Sequence, residues 1–362
     1  MTVFNTQQID YTKQPMFLGE TVNVARFDNP KYKWLKTLTE RQVGFFWKPE
    51  IIGLLQDRKQ FKDLTEAEKH MFISNLKYQI LLDSIQGRAP VETFLGVCSL
   101  PELETWIVTW SFFETIHSRS YTYIINNVFP RPAEILDDIP IHEEIRKRAT
   151  GISSYYDKLS EMVSKYKLGQ PVDLYQLKKH IYLTLICVNI LEGIRFYVSF
   201  ACSFSFAQRS KALMTGNASI IQLIAFDEAL HLSSTLHIIN TLREGKDDPD
   251  YIQIDKECQD TVIELYKDAV NQEKEWANYL FSKGPVLGLN EKILKDYVEY
   301  LCDARLKAIG YKSIFGTTVN PLPWMTDWLN KGSKNQAAPQ EVALVSYTMS
   351  EVNTNDDDDM DL

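Results

Sequence analysis

The 362-residue chain lacks most of the short signatures that mark a nucleotide, zinc or nucleic-acid protein. It has no Gly-x-Gly-x-x-Gly and no Walker-type glycine loop, so a nucleotide site within this chain is unsupported. Cysteine is sparse and unpatterned: Cys98, Cys187, Cys202, Cys258 and Cys302 form no Cys-x-x-Cys and no zinc spacing. The start, Met1-Thr2-Val3-Phe4-Asn5, has no basic stretch followed by an apolar one. No signal peptide is read, and a reducing, cytoplasmic location is the expectation. Positive charge is short too. A formal charge of −9 argues against a general nucleic-acid binder. Seven acids in residues 341–362 (Glu341, Glu351, Asp356, Asp357, Asp358, Asp359, Asp361) carry −7 of it with no Lys or Arg, which leaves −2 for the first 340 residues. Period-two alternation between hairpin turns is missing as well, and no internal repeat is found.

What is present is helical period. One helix is predicted from Glu66 to Gln86, ended by Gly87 and Pro90. A second starts at a capping box with an early proline, Ser99-Leu100-Pro101-Glu102, and runs to Val128. A third follows Pro171 and Asp173 to about Arg209, and a fourth runs from Asn217 as N-cap to just before Gly245. Further helices are expected around 133–165, 255–282 and 290–308. Ile181 to Ala207 holds only two charges, Glu192 and Arg195, and is long enough to cross a bilayer. Both charges fall near its middle, where lipid would make them costly, so it reads as a buried core helix. Residues 331–362 open on Lys331-Gly332-Ser333-Lys334-Asn335-Gln336, a linker composition, and continue as a polar acidic tail that cannot bury enough apolar area to order itself. The division expected is a domain over 1–330 and a tail over 331–362.

Two copies of Glu-x-x-His, Glu114–His117 and Glu228–His231, lie inside the second and fourth helices. A carboxylate and an imidazole at i, i+3 share a helix face and can grip one ion. One such pair is unremarkable, since a solvated polar pair looks the same. Two, on facing helices, match the pattern of ferritin-like di-iron and di-manganese bundles. The other long helices supply further acids. Asp83 lies on the apolar side of the first helix, and Glu192 is the only acid in the apolar core of the third. A hydrogen bond near the helix end would equally explain Asp83, and an i, i+3 pair with Arg195 would equally explain Glu192. As a set, four carboxylates and two imidazoles over four helices form an oxygen-rich site suited to iron or manganese. Tyr121 follows His117 by four residues, on the same face and roughly 6 Å farther along the axis. It reads either as core or as a phenol that an oxidised centre could strip of an electron and a proton. Phe196, Phe200 and Ile224 would wall it off from water. Asp227 reads either as a plain surface acid or as one that reaches a neighbouring helix to hydrogen-bond a metal-bound histidine. Trp47 reads either as core packing or as a redox-capable aromatic, and Tyr347, the only aromatic residue after Trp328, suits a partner contact.

Longer strings add a resemblance. Phe45-Phe46-Trp47-Lys48-Pro49-Glu50, Leu82-Asp83-Ser84-Ile85-Gln86-Gly87-Arg88, Glu114-Thr115-Ile116-His117-Ser118-Arg119-Ser120-Tyr121, Arg195-Phe196-Tyr197-Val198-Ser199-Phe200, Asp227-Glu228-Ala229-Leu230-His231 and Ala338-Pro339-Gln340-Glu341-Val342 resemble the small, radical-generating subunit of aerobic class Ia ribonucleotide reductase. The resemblance spans nearly the whole chain. It implies an all-α, ferritin-like di-iron bundle with additional helices. One iron would take Asp83, Glu114 and His117, the other Glu192, Glu228 and His231, with Glu114 and Glu228 bridging. Manganese could replace iron. Oxygen would react there to leave a stable radical on Tyr121. Trp47 and Asp227 would link the centre to the surface, and Tyr347 would pass the oxidising equivalent to a large subunit that reduces ribonucleoside diphosphates. The C-terminus would dock on that subunit, and the chain would form a homodimer. Two departures stand out: a short Lys165–Val172 segment, and Phe226 where a basic residue would precede the Asp-Glu-Ala-Leu-His string. The competing reading is a di-iron oxygenase or desaturase acting on a small substrate. Tyr121 beside the site and Tyr347 in a tail speak against it. Iron storage would expect a shorter, tail-free chain.

Overall fold

The computed structural model describes residues 5–334. Among them are thirteen α-helices and no β-strand. In order they are α1 (Lys33–Gly44), α2 (Leu55–Asp63), α3 (Glu66–Gln86), α4 (Ala89–Thr93), α5 (Pro101–Val128), α6 (Pro132–Asp138), α7 (Glu143–Lys167), α8 (Leu174–Ile190), α9 (Phe196–Ala207), α10 (Thr215–Arg243), α11 (Asp250–Leu280), α12 (Glu291–Ala308) and α13 (Trp324–Lys334). A π-helical turn, Leu191–Arg195, joins α8 to α9, so the two run on as one rod.

Local chemistry explains most ends. Thr65 and Glu68 close a reciprocal capping box at the start of α3, with Thr65 Oγ1 accepting from the Glu68 amide at 3.2 Å and Glu68 accepting from the Thr65 amide at 2.9 Å. Asp173 caps α8 through the amides of Tyr175 and Gln176. The box expected at Ser99 does not form. Ser99 Oγ instead accepts from the Gly19 amide at 2.7 Å, tying the N-terminal segment down, and α5 starts on Pro101 with no side-chain cap. Nor does Asn217 cap α10. The helix begins two residues earlier, behind Met214 in the left-handed region (φ 52). Its free amides at Gly216 and Asn217 donate to Asp57 of α2, at 3.1 and 2.7 Å. The helix expected around 133–165 is broken into α6 and α7 by a short 3-10 turn, Ile139–Ile141.

The α8–α9 rod is the centre of the molecule. Every residue from Ile181 to Phe206 is buried, which is why its sequence is apolar on all sides. It meets α3 and α10, and α5 closes the set against both, giving four helices around one interior. The remaining helices pack outside: α1 against α5, α7 and α11 against α8, α12 against α11, and α13 against α10. At roughly 1.5–3 kcal/mol per fully buried large apolar side chain, the rod alone is a major part of the core. The short Lys165–Val172 segment is a simple turn, with α7 ending at Lys167 and Gly169 at φ +69. Helix α13 continues through Lys331–Lys334, the first residues of the expected linker. Tyr347 and the acidic tail lie outside the described residues.

Candidate metal centre

Each of the four inner helices aims ionisable side chains at one point: Asp83 from α3, Glu114 and His117 from α5, Glu192 from the π turn, Glu228 and His231 from α10. All six have 0% exposed surface. They fall into two overlapping groups, Asp83–Glu114–His117–Glu228 and Glu114–Glu192–Glu228–His231, and in each group one potential ligand atom per residue lies within 4.8 Å of the others. Glu114 and Glu228 belong to both groups.

Distances across the cluster are those of a ligand shell. His117 Nδ1 lies 3.2 Å from Glu114 Oε2 and 3.1 Å from Glu228 Oε1. His231 Nδ1 lies 3.0 Å from Glu114 Oε1 and 2.9 Å from Glu228 Oε2. Ligand atoms held at right angles by bonds of ~2.1 Å stand about 3 Å apart. Several polar atoms are otherwise stranded. Both oxygens of Asp83, Glu192 Oε2 and the Tyr121 hydroxyl are buried without a hydrogen-bond partner among the described residues. Burying four carboxylates and two imidazoles is prohibitive unless something compensates their charge. The cluster therefore fits a dinuclear metal centre.

The titration of the groups reflects the same crowding. Burial, then the charges of Glu114 and Glu228, pushes Asp83 well above the usual carboxylate range. Burial, then Glu228 and Glu114, does the same to Glu192. For Glu228 burial acts upward too, but the two histidines outweigh it and hold it below its ordinary value. Burial would lower both histidines. The carboxylates overcome it, lifting His117 well above its usual value and His231 to about 9. A bound cation would take over the work those protons do.

Around the six, other side chains set orientation. Asp227 Oδ2 accepts from His117 Nε2 at 2.9 Å and from Trp47 Nε1 at 2.8 Å, and the Trp47 ring stacks beside His117 at 6.2 Å. Fixing Nε2–H in this way leaves Nδ1 to face the carboxylates. Tyr121 is fully buried, its phenol held well above its usual pKa by burial and then by Asp83 and Glu228. Phe196, Phe200 and Ile224 are all at 0% exposure. Two residues, Gln86 and Trp110, escaped the sequence reading. Gln86 Nε2 donates to Glu192 Oε1 at 2.6 Å while Gln86 Oε1 accepts from the Tyr156 hydroxyl at 2.5 Å, and Trp110 Nε1 donates to Glu114 Oε1 at 2.8 Å. Both sit at helical spacing from a candidate ligand (Gln86 at Asp83+3, Trp110 at Glu114−4), so the face arithmetic could have found them. The pair Glu192–Arg195 does not form. Arg195 turns away to Glu273, at 2.9 Å. Phe226 packs on Phe45, ring centroids 4.5 Å apart.

With this geometry in hand, comparison with known proteins is specific. Residues 25–321 match the family described as ribonucleotide reductase, small chain. The chain is 51% identical to the ribonucleoside-diphosphate reductase 1 subunit beta of Salmonella typhimurium, covering 99% of this chain and 97% of that protein. It is 40% identical to the corresponding subunit beta of Enterobacteria phage T4, with coverage of 99% and 97%. The ribonucleotide reductase R2 subunit from Clostridium botulinum superposes with a TM-score of 0.78 at 26% identity, over 91% of this chain and 98% of that one. The dimanganese(II) NrdF of Streptococcus sanguinis shares the fold, with a TM-score of 0.67 at 17% identity over 85% and 99%.

Proposed function

The chain belongs to the ribonucleotide reductase small-chain family, and from that premise we propose that its buried cluster holds two irons and that oxygen activation there leaves a stable radical on Tyr121. As a small subunit it is part of an oxidoreductase and works with a large subunit. The observation that carries the metal reading is the overlap of the two ligand groups through Glu114 and Glu228. Asp83 and His117 would complete one ion's shell, Glu192 and His231 the other's. Mixed oxygen and imidazole ligands also accept manganese.

Held by Asp83, Glu114, His117, Glu192, Glu228 and His231, a reduced metal pair would, with oxygen, supply a strong one-electron oxidant here. What the chain supplies is place and protection. Tyr121 is a fully buried, neutral phenol, so its oxidation would release a proton as well as an electron. The surrounding phenylalanines and Ile224 keep water and reductants from the resulting radical. Trp47, Asp227 and His117 form one hydrogen-bonded line leading outward from the centre. We assign that line to exchange of the oxidising equivalent with the large subunit, completed by Tyr347 in the tail over 331–362, which docks on that subunit beyond the radical domain of residues 1–330. A cytoplasmic location fits this role.

A homodimer is part of the proposal. Val108 and Phe112 on α5, Phe46 and Val43 form an exposed apolar face, and Phe46 stacks on Phe112 with centroids 6.3 Å apart. Large apolar side chains gathered on one face mark an interaction site. Apo-protein given Fe(II) and oxygen should bind two irons per chain and develop a tyrosyl signal by electron paramagnetic resonance. Tyr121→Phe should keep the irons and lose the signal. Iron uptake by the wild type with no such signal would overturn the radical assignment.

A further inference from the structure

Glu192 lies on the π turn, the only stretch of the α8–α9 rod that leaves the α-helical ladder. An inserted residue of this kind weakens local hydrogen bonding and recurs at functional sites. Here the turn is closed from outside. Arg305 of α12 donates from Nε to the Gly193 carbonyl at 3.1 Å, and its guanidinium rests on the Tyr197 ring at 4.8 Å. Gly193 makes this approach possible. A Cβ there would stand 3.0 Å from both Arg305 Nε and Leu232 Cδ1, closer than ordinary contact. At the other end of the turn, Arg195 is held by Glu273 at 2.9 Å, Gln272 at 2.8 Å and the Tyr78 hydroxyl at 3.0 Å.

Resting on the metal reading above, we infer that Arg305 is a positioning residue for Glu192. It braces the π turn through the Gly193 carbonyl and so sets the aim of the one candidate ligand the turn carries. The effect is selective by construction. Asp83 and His117 stand on α3 and α5, to which Arg305 makes no hydrogen bond, ion pair or ring contact among the described residues, whereas Glu192 is one residue from the braced carbonyl. Loss of the brace should weaken the ion held by Glu192 and His231 and leave its neighbour's site intact.

The test is Mn(II) titration of apo-protein followed by electron paramagnetic resonance, with thermal melting alongside. The wild type should bind two Mn(II) per chain as a spin-coupled pair; fewer than two would refute the metal reading itself. Arg305→Ala should bind the first Mn(II) as the wild type does and the second at least tenfold more weakly, the scale typical of residues that orient ligands. An isolated-Mn(II) spectrum should then replace the coupled one at moderate loading. Arg305→Lys, whose ammonium can still donate to the carbonyl, should recover part of the second affinity. Gly193→Ala pushes the brace away from the other side and should show the same selective loss, and it decides the matter if Arg305→Ala does not fold. Wild-type binding of both ions in a folded variant, or equal weakening of both, would overturn the inference.

Discussion

At the scale of single residues, the interior is governed by how buried acids find partners. Asp303 shows this away from the metal cluster. It is 2% exposed and accepts from the amides of Ile314 (2.8 Å), Phe315 (3.0 Å) and Thr317 (2.7 Å), and from the Thr317 hydroxyl at 3.0 Å. Burial alone would raise its pKa. The backbone donors outweigh it and hold it below the ordinary value. A depressed pKa contributes stability in full above the unfolded carboxylate pKa, near 4, and loses it as pH falls through the lower folded value. Asp303→Asn should therefore cost about 1–3 kcal/mol at neutral pH and progressively less below pH 4. Thermal melts of both proteins at pH 7 and pH 3 check this, and an unchanged gap would refute the assignment. The convergence of Asp83, Glu114, His117, Glu192, Glu228 and His231 was legible because helix period converts sequence spacing into a shared face. What spacing could not supply was partner choice. Glu192 and Arg195 stand three apart, the separation of an ordinary helical ion pair. The π turn, together with Glu273 on a helix nearly eighty residues away, sends Arg195 elsewhere.

At the scale of elements, helix ends were read well where the cap is local and poorly where it is supplied from afar. Helix α3 begins and ends at the predicted residues because its box and its Gly87 terminus are contiguous in sequence. Helix α10 starts at Thr215 because Asp57 of α2 satisfies its first amides, a cap about 160 residues distant that leaves no mark near Asn217. Asp57→Ala should lower stability by about 1–2 kcal/mol in chemical denaturation, the range for a lost N-cap. No loss would mean the amides are served otherwise. The short helices α1, α2 and α4 were not anticipated, since each shows too few turns for its period to stand out. Nor was the π turn. One extra residue in a run that is apolar on every side changes no pattern, because there is no polar face to rotate out of place.

At the scale of the whole molecule, the metal and the fold should stabilise each other. Ions bound by the native cluster and not by the unfolded chain add RT ln(1 + [L]/Kd), about 2.7 kcal/mol at a hundredfold excess over Kd. Chelation should therefore lower the melting temperature by roughly 5 °C. Identical melting with and without iron would show that the cluster is not loaded. The proposed dimer face is tested by Val108→Asp with Phe112→Asp, which should give a monomer by sedimentation; an intact dimer would place the interface elsewhere. Tyr347→Phe should keep the Tyr121 signal yet abolish turnover with the large subunit, and full activity in that variant would remove the tail from the electron route.

The brace on Gly193 also bears on the order in which a growing chain can finish itself. The last candidate ligand is His231, but Arg305 is made 74 residues later, ~4–15 s at ordinary rates of synthesis. During that interval a nascent chain could carry all six ligands while the turn under Glu192 still lacks its outer support. Metal captured early would then enter through Asp83 and His117 first. The finished centre would be asymmetric in its history, even though two shared glutamates make it nearly symmetric in form.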